Sequence, residues 1–462
     1  MYYLWGDIQD IASPILSGGT SDPSYGYISG NDSYAEVIVG RFSSESLADV
    51  STQVQRSIDY EANPTPGGTW YTKAVGIASD QGPGDDGEMD FEHMRNIRTG
   101  FMNYGYTFVD EMYDGSQGGL DANGDPIPGN IINAINDGRG VINYTGHGSQ
   151  SGCGTSGFSS ADIPLLTNSG MLPFWGAVAC VNGEFASGTC FAEELLRARN
   201  NSGQPTGMVA TLMSSVNQYW NEPMDGQDEF DSLLTASFAN NLKYTFGGIS
   251  VNGCMHMNTN YGTSGNEMTD TWHCFGDPSF VVRNSVPLSL AAVHDTIEPL
   301  GTSQLLVNCT LNDAVVTITK GAAILGTGIV QNNSVMLNFL PVMQIDTFDI
   351  TATGFNCIPY FGKLYIVDPT SINENTANQI QLALSPIPVT DIATLSFNLY
   401  KSAEVSIYVS DVTGKVVDRV VDKTFFSKGS QRVEISTQNY ARGTYFIHLL
   451  NQGKEHSVKL IK

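Results

Sequence analysis

Gly140-Val141-Ile142-Asn143-Tyr144-Thr145-Gly146-His147-Gly148 carries a β-rich run into a histidine flanked by glycines. Further along, Phe174-Trp175-Gly176-Ala177-Val178-Ala179-Cys180-Val181-Asn182-Gly183 delivers a cysteine in the same way. Short β-rich runs closed by Gly or Asn read as buried strands with a sharp exit. In open parallel sheets, chemistry gathers at the carboxyl ends of the strands. Neighbouring strands of this kind would bring imidazole and thiol to one sheet edge, as a Cys–His hydrolase needs. Taken alone, either residue reads as an ordinary core histidine or a buried structural cysteine. Two such turns in one α/β unit weigh against that.

Outward from this pair, strands are expected at Ala74–Ser79, Thr107–Val109, Gly140–Tyr144, Phe174–Ala179 and Gly207–Met213. Helices are expected near Asp90–Tyr104, Gly129–Asn136, Cys190–Arg199 and Gln227–Ala239. The alternation implies a parallel sheet with helices on both faces. Residues 1–72 read as a strand at Tyr2–Asp7, a Gly/Ser/Asp-rich loop, a strand at Glu36–Phe42 and a helix from Ser44 to about Tyr60, capped by Ser44 or Ser46. Pro64-Thr65-Pro66-Gly67-Gly68 breaks the chain before residues 73–285, the α/β region itself. Residues 286–368 switch to short alternating runs such as Val315–Thr319 and Ser334–Leu337, the pattern of an immunoglobulin-like β-sandwich. Residues 369–380 are polar and aperiodic, a linker. Residues 381–462 form a second β-module with turns at Thr413-Gly414-Lys415, Lys428-Gly429-Ser430 and Asn451-Gln452-Gly453.

The 462 residues carry a net charge of −25, which argues against nucleic acid and anionic membrane as partners. No apolar run reaches the length of a membrane span. The seven cysteines are scattered, with no CxxC pair and no zinc spacing, and their odd number leaves at least one free thiol. Asp121-Ala122-Asn123-Gly124-Asp125 begins like a calcium loop. Pro126 and Ile132 stand where such a loop needs Gly and Glu, so a polar turn is expected. His93, His256 and His273 show no metal-ligand pairing.

The two turns settle more by their wording. Asn143-Tyr144-Thr145-Gly146-His147-Gly148-Ser149 and Val178-Ala179-Cys180-Val181-Asn182-Gly183 closely resemble the catalytic segments of gingipains, secreted cysteine endopeptidases with a caspase-like fold. Gly30-Asn31-Asp32, Val39-Gly40-Arg41-Phe42-Ser43, Thr206–Ala210, Val216-Asn217-Gln218-Tyr219-Trp220, Pro223–Glu229 and Phe275-Gly276-Asp277-Pro278-Ser279 look like further blocks of that family. The resemblance covers most of residues 1–285. It implies a thioester acyl-enzyme on Cys180, His147 as general acid/base, and the amides of Gly148 and Cys180 around the oxyanion. Cleavage would follow Arg or Lys. Asp90 falls where the arginine-specific members keep the carboxylate of the S1 pocket, and Gln218, Trp220 and Met224 match residues that line it. One buried carboxylate gripping a guanidinium in a fork is strongly specific, whereas by itself Asp90 reads as a solvated carboxylate at a helix start. No catalytic cofactor is expected, and structural Ca2+ is implied with ligands these motifs do not assign.

The loop Ser79-Asp80-Gln81-Gly82-Pro83-Gly84 looks shorter than the family's. The glutamate that supports the histidine there is replaced by Asp80 or Gln81. The front of the family's catalytic domain, its pro-segment and its signal peptide also have no counterpart, so residues 1–72 read as an incomplete first subdomain and the chain as a fragment or a misplaced start. At the other end, Ser385-Pro386-Ile387-Pro388, Val409–Val416, Ala441–His448 and Val458-Lys459-Leu460-Ile461-Lys462 together resemble the sorting domain of Bacteroidetes type IX secretion cargo. That implies the type IX machinery as a partner and a secreted or surface-attached protein. The expected function is a secreted cysteine endopeptidase acting on proteins or peptides with Arg, or else Lys, at P1. The alternative is a non-catalytic surface or adhesion protein on a truncated or degenerate peptidase scaffold.

Overall fold

The computed structural model describes residues 13–118, 124–368, 380 and 382–462. The strand expected at Tyr2–Asp7, the first three residues of the Asp121 turn and nearly all of the linker lie outside them. The chain divides into two compact units, Met1–Val367 and Asp368–Lys462.

The first unit is organised by a seven-stranded sheet of β1 (Gly40–Arg41), β2 (Lys73–Ala78), β3 (Phe108–Tyr113), β4 (Val141–Thr145), β5 (Phe174–Val178), β6 (Ala210–Ser214) and β7 (Trp272–Phe275). Their order across the sheet is β1-β7-β6-β5-β4-β2-β3. All five residues of β4, β5 and β6 are buried, as a sheet covered on both faces requires. Parallel pairing runs from β6 through β3. The expectation of a wholly parallel sheet needs one correction: β7 is antiparallel to β6 and carries β1 parallel to itself. Three helices separate β6 from β7, and the chain re-enters the sheet from its opposite end.

Helices α1 (Leu47–Ala62), α2 (Asp90–Tyr104), α3 (Pro128–Asp137) and α4 (Phe191–Arg197) fall close to the expected spans, while α5 (Asn221–Leu234) starts six residues before the expected Gln227 and ends five before Ala239. Ser46 is the cap of α1, accepting the Asp49 N–H at 3.2 Å. Two further helices, α6 (Phe246–Tyr261) and α7 (Thr263–Thr271), were not expected. The glycines of α6 depress helix propensity, yet they fit its packing. A Cβ at Gly253 would lie 2.6 Å from the Gly226 carbonyl oxygen of α5, so glycine allows the two helices to cross this closely.

After β7 the first unit continues as a two-stranded pair, Leu288–Ser289 with Cys357–Ile358, and two larger β-sheets. One contains Ala292–His294, Gln304–Cys309 and Ser334–Asn338; the other contains Ile297–Pro299, Tyr360–Val367, Asp346–Thr353, Val315–Lys320 and Ala323–Ile329. Their inward residues, among them Val307, Ile318, Leu337 and Ile350, form one aliphatic core.

The second unit has strands β8 (Ala383–Ser385), β9 (Ile392–Leu399), β10 (Ala403–Asp411), β11 (Val416–Phe426), β12 (Gly429–Ser436), β13 (Thr444–Asn451) and β14 (Lys454–Ile461). They form a three-stranded sheet, β8-β9-β12, and a four-stranded sheet, β11-β10-β13-β14. The three expected turns fall at the joints between β10 and β11, β11 and β12, and β13 and β14.

Candidate active site

Strands β4 and β5 are parallel neighbours with Thr145 opposite Val178, and the Gly146 N–H donates to the Val178 carbonyl at 3.1 Å. His147 and Cys180 therefore leave the sheet from the same edge, each two residues beyond a shared register. The two turns touch. A Cβ on Gly148 would lie 2.5 Å from the Cys180 carbonyl oxygen, so any side chain there would push the cysteine turn away. Val181, directly after the cysteine, is a β-branched residue at φ 50°. Such a conformation costs on the order of 1–3 kcal/mol and persists only where its surroundings hold it. Here the Val181 N–H donates to Val216 O at 2.9 Å and the Gly183 N–H to Ser214 O at 2.8 Å, pinning the turn to β6 and the loop beyond it.

All seven cysteines are free thiols; six are buried and Cys180 alone is only half-buried. Burial pushes the Cys274 thiol up to about 12 and those of Cys153, Cys190 and Cys254 higher still, which keeps them inert. Cys180 lines a cleft with about 230 Å³ of open space, together with Thr145, Gly146, Ala179, Gln218 and Trp220.

The His147 ring is exposed, but its backbone is fixed: its carbonyl accepts the Tyr144 hydroxyl at 2.5 Å and the Gly154 N–H at 2.8 Å. Nε2 lies 2.9 Å from Gln81 Oε1. An amide oxygen only accepts, so Nε2 carries the proton and Nδ1 is left as the basic nitrogen. Of the two residues left open by sequence, Gln81 is the one at the imidazole. Asp80 packs against Gly115 instead.

Asp90 opens α2 and is fully buried. One carboxylate oxygen accepts the Ser79 hydroxyl and the other the Trp220 indole N–H at 2.9 Å. Burial raises its pKa to about 6, and those two hydrogen bonds oppose the shift. The Trp220 ring also meets the His147 ring edge-on at 5.3 Å. Met224 on α5 is buried next to Trp220, and a Cβ on Gly84 would fall 2.3 Å from its sulfur. Gln218 accepts the Ala179 N–H at 2.9 Å through Oε1, while its Nε2 is buried with no partner among the described residues. The structure thus gathers His147, Gly148, Cys180, Gln218 and Trp220 around the cleft, with Asp90 and Met224 behind the indole.

Sequence reasoning did not anticipate Ser79 on Asp90, nor the polar chain beneath β4. There Thr145 donates to Gln227 at 2.6 Å, Gln227 Oε1 lies 3.1 Å from His93 Nε2, and Asn143 donates to Asp231 at 2.8 Å. His93 faces Glu88 and Asp228, whose carboxylates offset its burial and raise its pKa. His256 and His273 likewise have hydrogen-bond partners, Asn260 and the Thr20 carbonyl. Among the described residues no group of three or more His, Cys, Asp or Glu could hold a metal ion. Asp125 accepts the Gly115 N–H at 2.8 Å.

Residues 3–283 match peptidase family C25, and residues 383–462 match the secretion system C-terminal sorting domain. The chain belongs to peptidase family C25. It is 42% identical to Gingipain R1 of Porphyromonas gingivalis over 356 residues, 76% of this chain and 35% of that protein. It is 36% identical to Gingipain R2 of P. gingivalis strain ATCC 33277 over 462 residues, 99% of this chain and 59% of that protein. The chain therefore spans less than two thirds of the length of these curated relatives. The crystal structure of the Arg-specific cysteine proteinase gingipain R superposes with a TM-score of 0.74 at 39% identity, covering 78% of this chain and 82% of that one. The fold of this C25 member is accordingly caspase-like, a mixed sheet with flanking helices followed by β-rich regions. Its type IX sorting domain and its gingipain homology mark it as secreted or surface-attached in a Bacteroidetes bacterium. No helix among the described residues is long and apolar enough to cross a membrane.

Proposed function

We propose that this chain is a cysteine endopeptidase that cleaves after Arg through a Cys180–His147 dyad. The observation that carries the reading is the Thr145–Val178 register, which sends both residues off one sheet edge. In this scheme His147 takes the thiol proton and the Cys180 sulfur attacks the scissile carbonyl. The N–H groups of Gly148 and Cys180 hold the oxyanion, the amine leaves with the proton from His147, and water hydrolyses the thioester.

Asp90 is the P1 partner. A substrate guanidinium reaching it displaces the Trp220 indole, exchanging one neutral donor for a charged fork. Trp220 and Met224 then flank the arginine stem, and the unpartnered Nε2 of Gln218 is a donor available to the substrate. Lys at P1 would offer a point charge without the fork. Protein substrates follow from the family, and export by the type IX machinery follows from the sorting domain. Calcium enters no step.

One observation favours the non-catalytic reading: a neutral amide, Gln81, stands at the imidazole. The same assay decides between them. Paired fluorogenic peptides ending in Arg or Lys are incubated with the chain under reducing conditions with calcium, and Cys180→Ala serves as the control. Arg cleavage lost in Cys180→Ala is the expected result; no cleavage by folded chain sinks the proposal.

A further inference from the structure

If the enzyme cuts after arginine, its own arginines are potential substrates, and they are distributed unevenly. Eight of the eleven lie in residues 13–367, and all eight are engaged. Arg41 and Arg139 form forks with the buried carboxylates of Asp22 and Asp110. Arg56 and Arg283, both buried, donate to main-chain carbonyls. Arg95 and Arg98 lie within α2, held by Glu111 and the Val109 carbonyl. Arg197 and Arg199, at the end of α4, pair with Glu193 and Asp49. To occupy a P1 pocket, each must give up its partners and most must also leave regular structure.

The remaining three, Arg419, Arg432 and Arg442, are exposed on the sorting domain. Arg419 and Arg432 sit inside β11 and β12, where the ladder must open first. Arg442 belongs to no helix or strand. It lies in the connection 437–443 between β12 and β13 and has no hydrogen bond or ion pair among the described residues. The following residue is held by one backbone pair at the margin of the β13–β14 ladder: Gly443 and Lys462 exchange hydrogen bonds of 3.2 and 2.9 Å. Between Lys363 and Lys401 the sequence has no basic residue at all. An Arg- or Lys-directed enzyme therefore has nothing to cut in the stretch joining the two units.

We infer that the Arg442–Gly443 peptide bond is the chain's own cleavage site, cut by one copy acting on another; the inference rests on the Arg-directed hydrolysis proposed above. Cys180 of one copy attacks the Arg442 carbonyl and the C–N bond to Gly443 breaks. The Gly443 amine leaves protonated through His147, and water releases Arg442 as a carboxylate. The cut removes β13 and β14, half of the four-stranded sheet, with the buried side chains of Ile447, Leu449 and Leu460. An active enzyme thus destroys its own sorting domain while its catalytic unit stays whole.

To test this, Cys180→Ala chain is incubated as substrate with a catalytic amount of active chain. Intact mass and N-terminal sequencing identify the cuts, and an Arg peptide in the same tube reports activity. The expected first product begins at Gly443, and its appearance slows at least 100-fold when the substrate also carries Arg442→Gln. Peptide hydrolysis with the Cys180→Ala chain left whole, or cut first after another arginine, overturns the inference alone. Absence of peptide hydrolysis overturns the Arg-directed reading and the inference with it.

Discussion

Strands β4 and β10 bury their side chains in different ways. Every residue of β4 is buried, Asn143 and Thr145 included, and each of those polar groups is matched from α5, by Asp231 and Gln227. Along most of β10 buried and more exposed positions alternate, and the inward set Ala403, Val405, Ile407 and Val409 is aliphatic. Charge divides in the same way. Residues 383–462 carry ten Lys and Arg against seven Asp and Glu, while the rest of the chain has twelve against forty. A sheet covered on both faces must satisfy its polar groups internally. In this protein those partners also hold the strand that presents His147. The sorting domain hides mainly hydrocarbon, with Ser410 and Thr437 as its buried polar residues among those described, so whatever recognises it reads the outer surface.

The largest effect should separate the two regions outright. Cys180→Ala is expected to lower Arg-peptide hydrolysis by on the order of 10³-fold or more and to leave the melting temperature unchanged, since the thiol is only half-buried. A fall in melting temperature would instead make Cys180 a packing residue.

Asp90→Asn should come next. Removing one partner of a buried charge pair costs about 3–5 kcal/mol, so kcat/KM for Arg peptides is expected to drop by roughly 10²–10⁴-fold. The wild-type pH profile tests the same carboxylate. Burial raises Asp90 to about 6, so the group is neutral below that pH and ionised above it. Arg cleavage should therefore weaken as pH falls through about 6, with kcat/KM following the free enzyme, and Asp90→Asn should erase that limb. A limb at pH 6 that survives in Asp90→Asn belongs to another group.

Ile407→Ala sharpens the comparison from the other side. Ile407 is fully buried in β10, and such truncations destabilise by about 2–5 kcal/mol. The expected outcome is earlier melting of the sorting domain with Arg-peptide hydrolysis unchanged. A parallel loss of hydrolysis would show that the catalytic unit depends on it.

Strands β4 and β5 were legible in the sequence because a fully buried strand is a continuous apolar run with a marked exit. The four-residue β7 was not, since it follows α7 without any turn signal. Helix α6 escaped because it is buried over much of its surface and built from Gly, Asn and Met, so no amphipathic period appears. Asp90 is a nonlocal case. A carboxylate in a first helical turn looks solvated until Trp220, brought in from the loop after β6, closes over it. The choice between Asp80 and Gln81 was equally out of reach: adjacent loop residues point in different directions, and only packing fixes which one meets the ring. The main chain of Gln81 accepts the Asp90 N–H at 2.9 Å, so the S1 carboxylate and the imidazole's partner are set by one loop.

That loop yields the smallest expected effect. Gln81 Oε1 fixes the tautomer of His147 but brings no charge to an imidazolium. Gln81→Glu keeps the acceptor and adds the charge. Hydrogen bonds to charged groups exceed neutral ones by about 1 kcal/mol, so the imidazolium–thiolate form should gain roughly five-fold. The carboxylate raises the folded-state pKa of the imidazole, which moves the alkaline limb of kcat/KM to higher pH. A broadened profile with a several-fold higher plateau is therefore expected. An unchanged profile with an altered KM alone would assign Gln81 to shaping the cleft, and the difference between the two units would then owe nothing to this residue's charge.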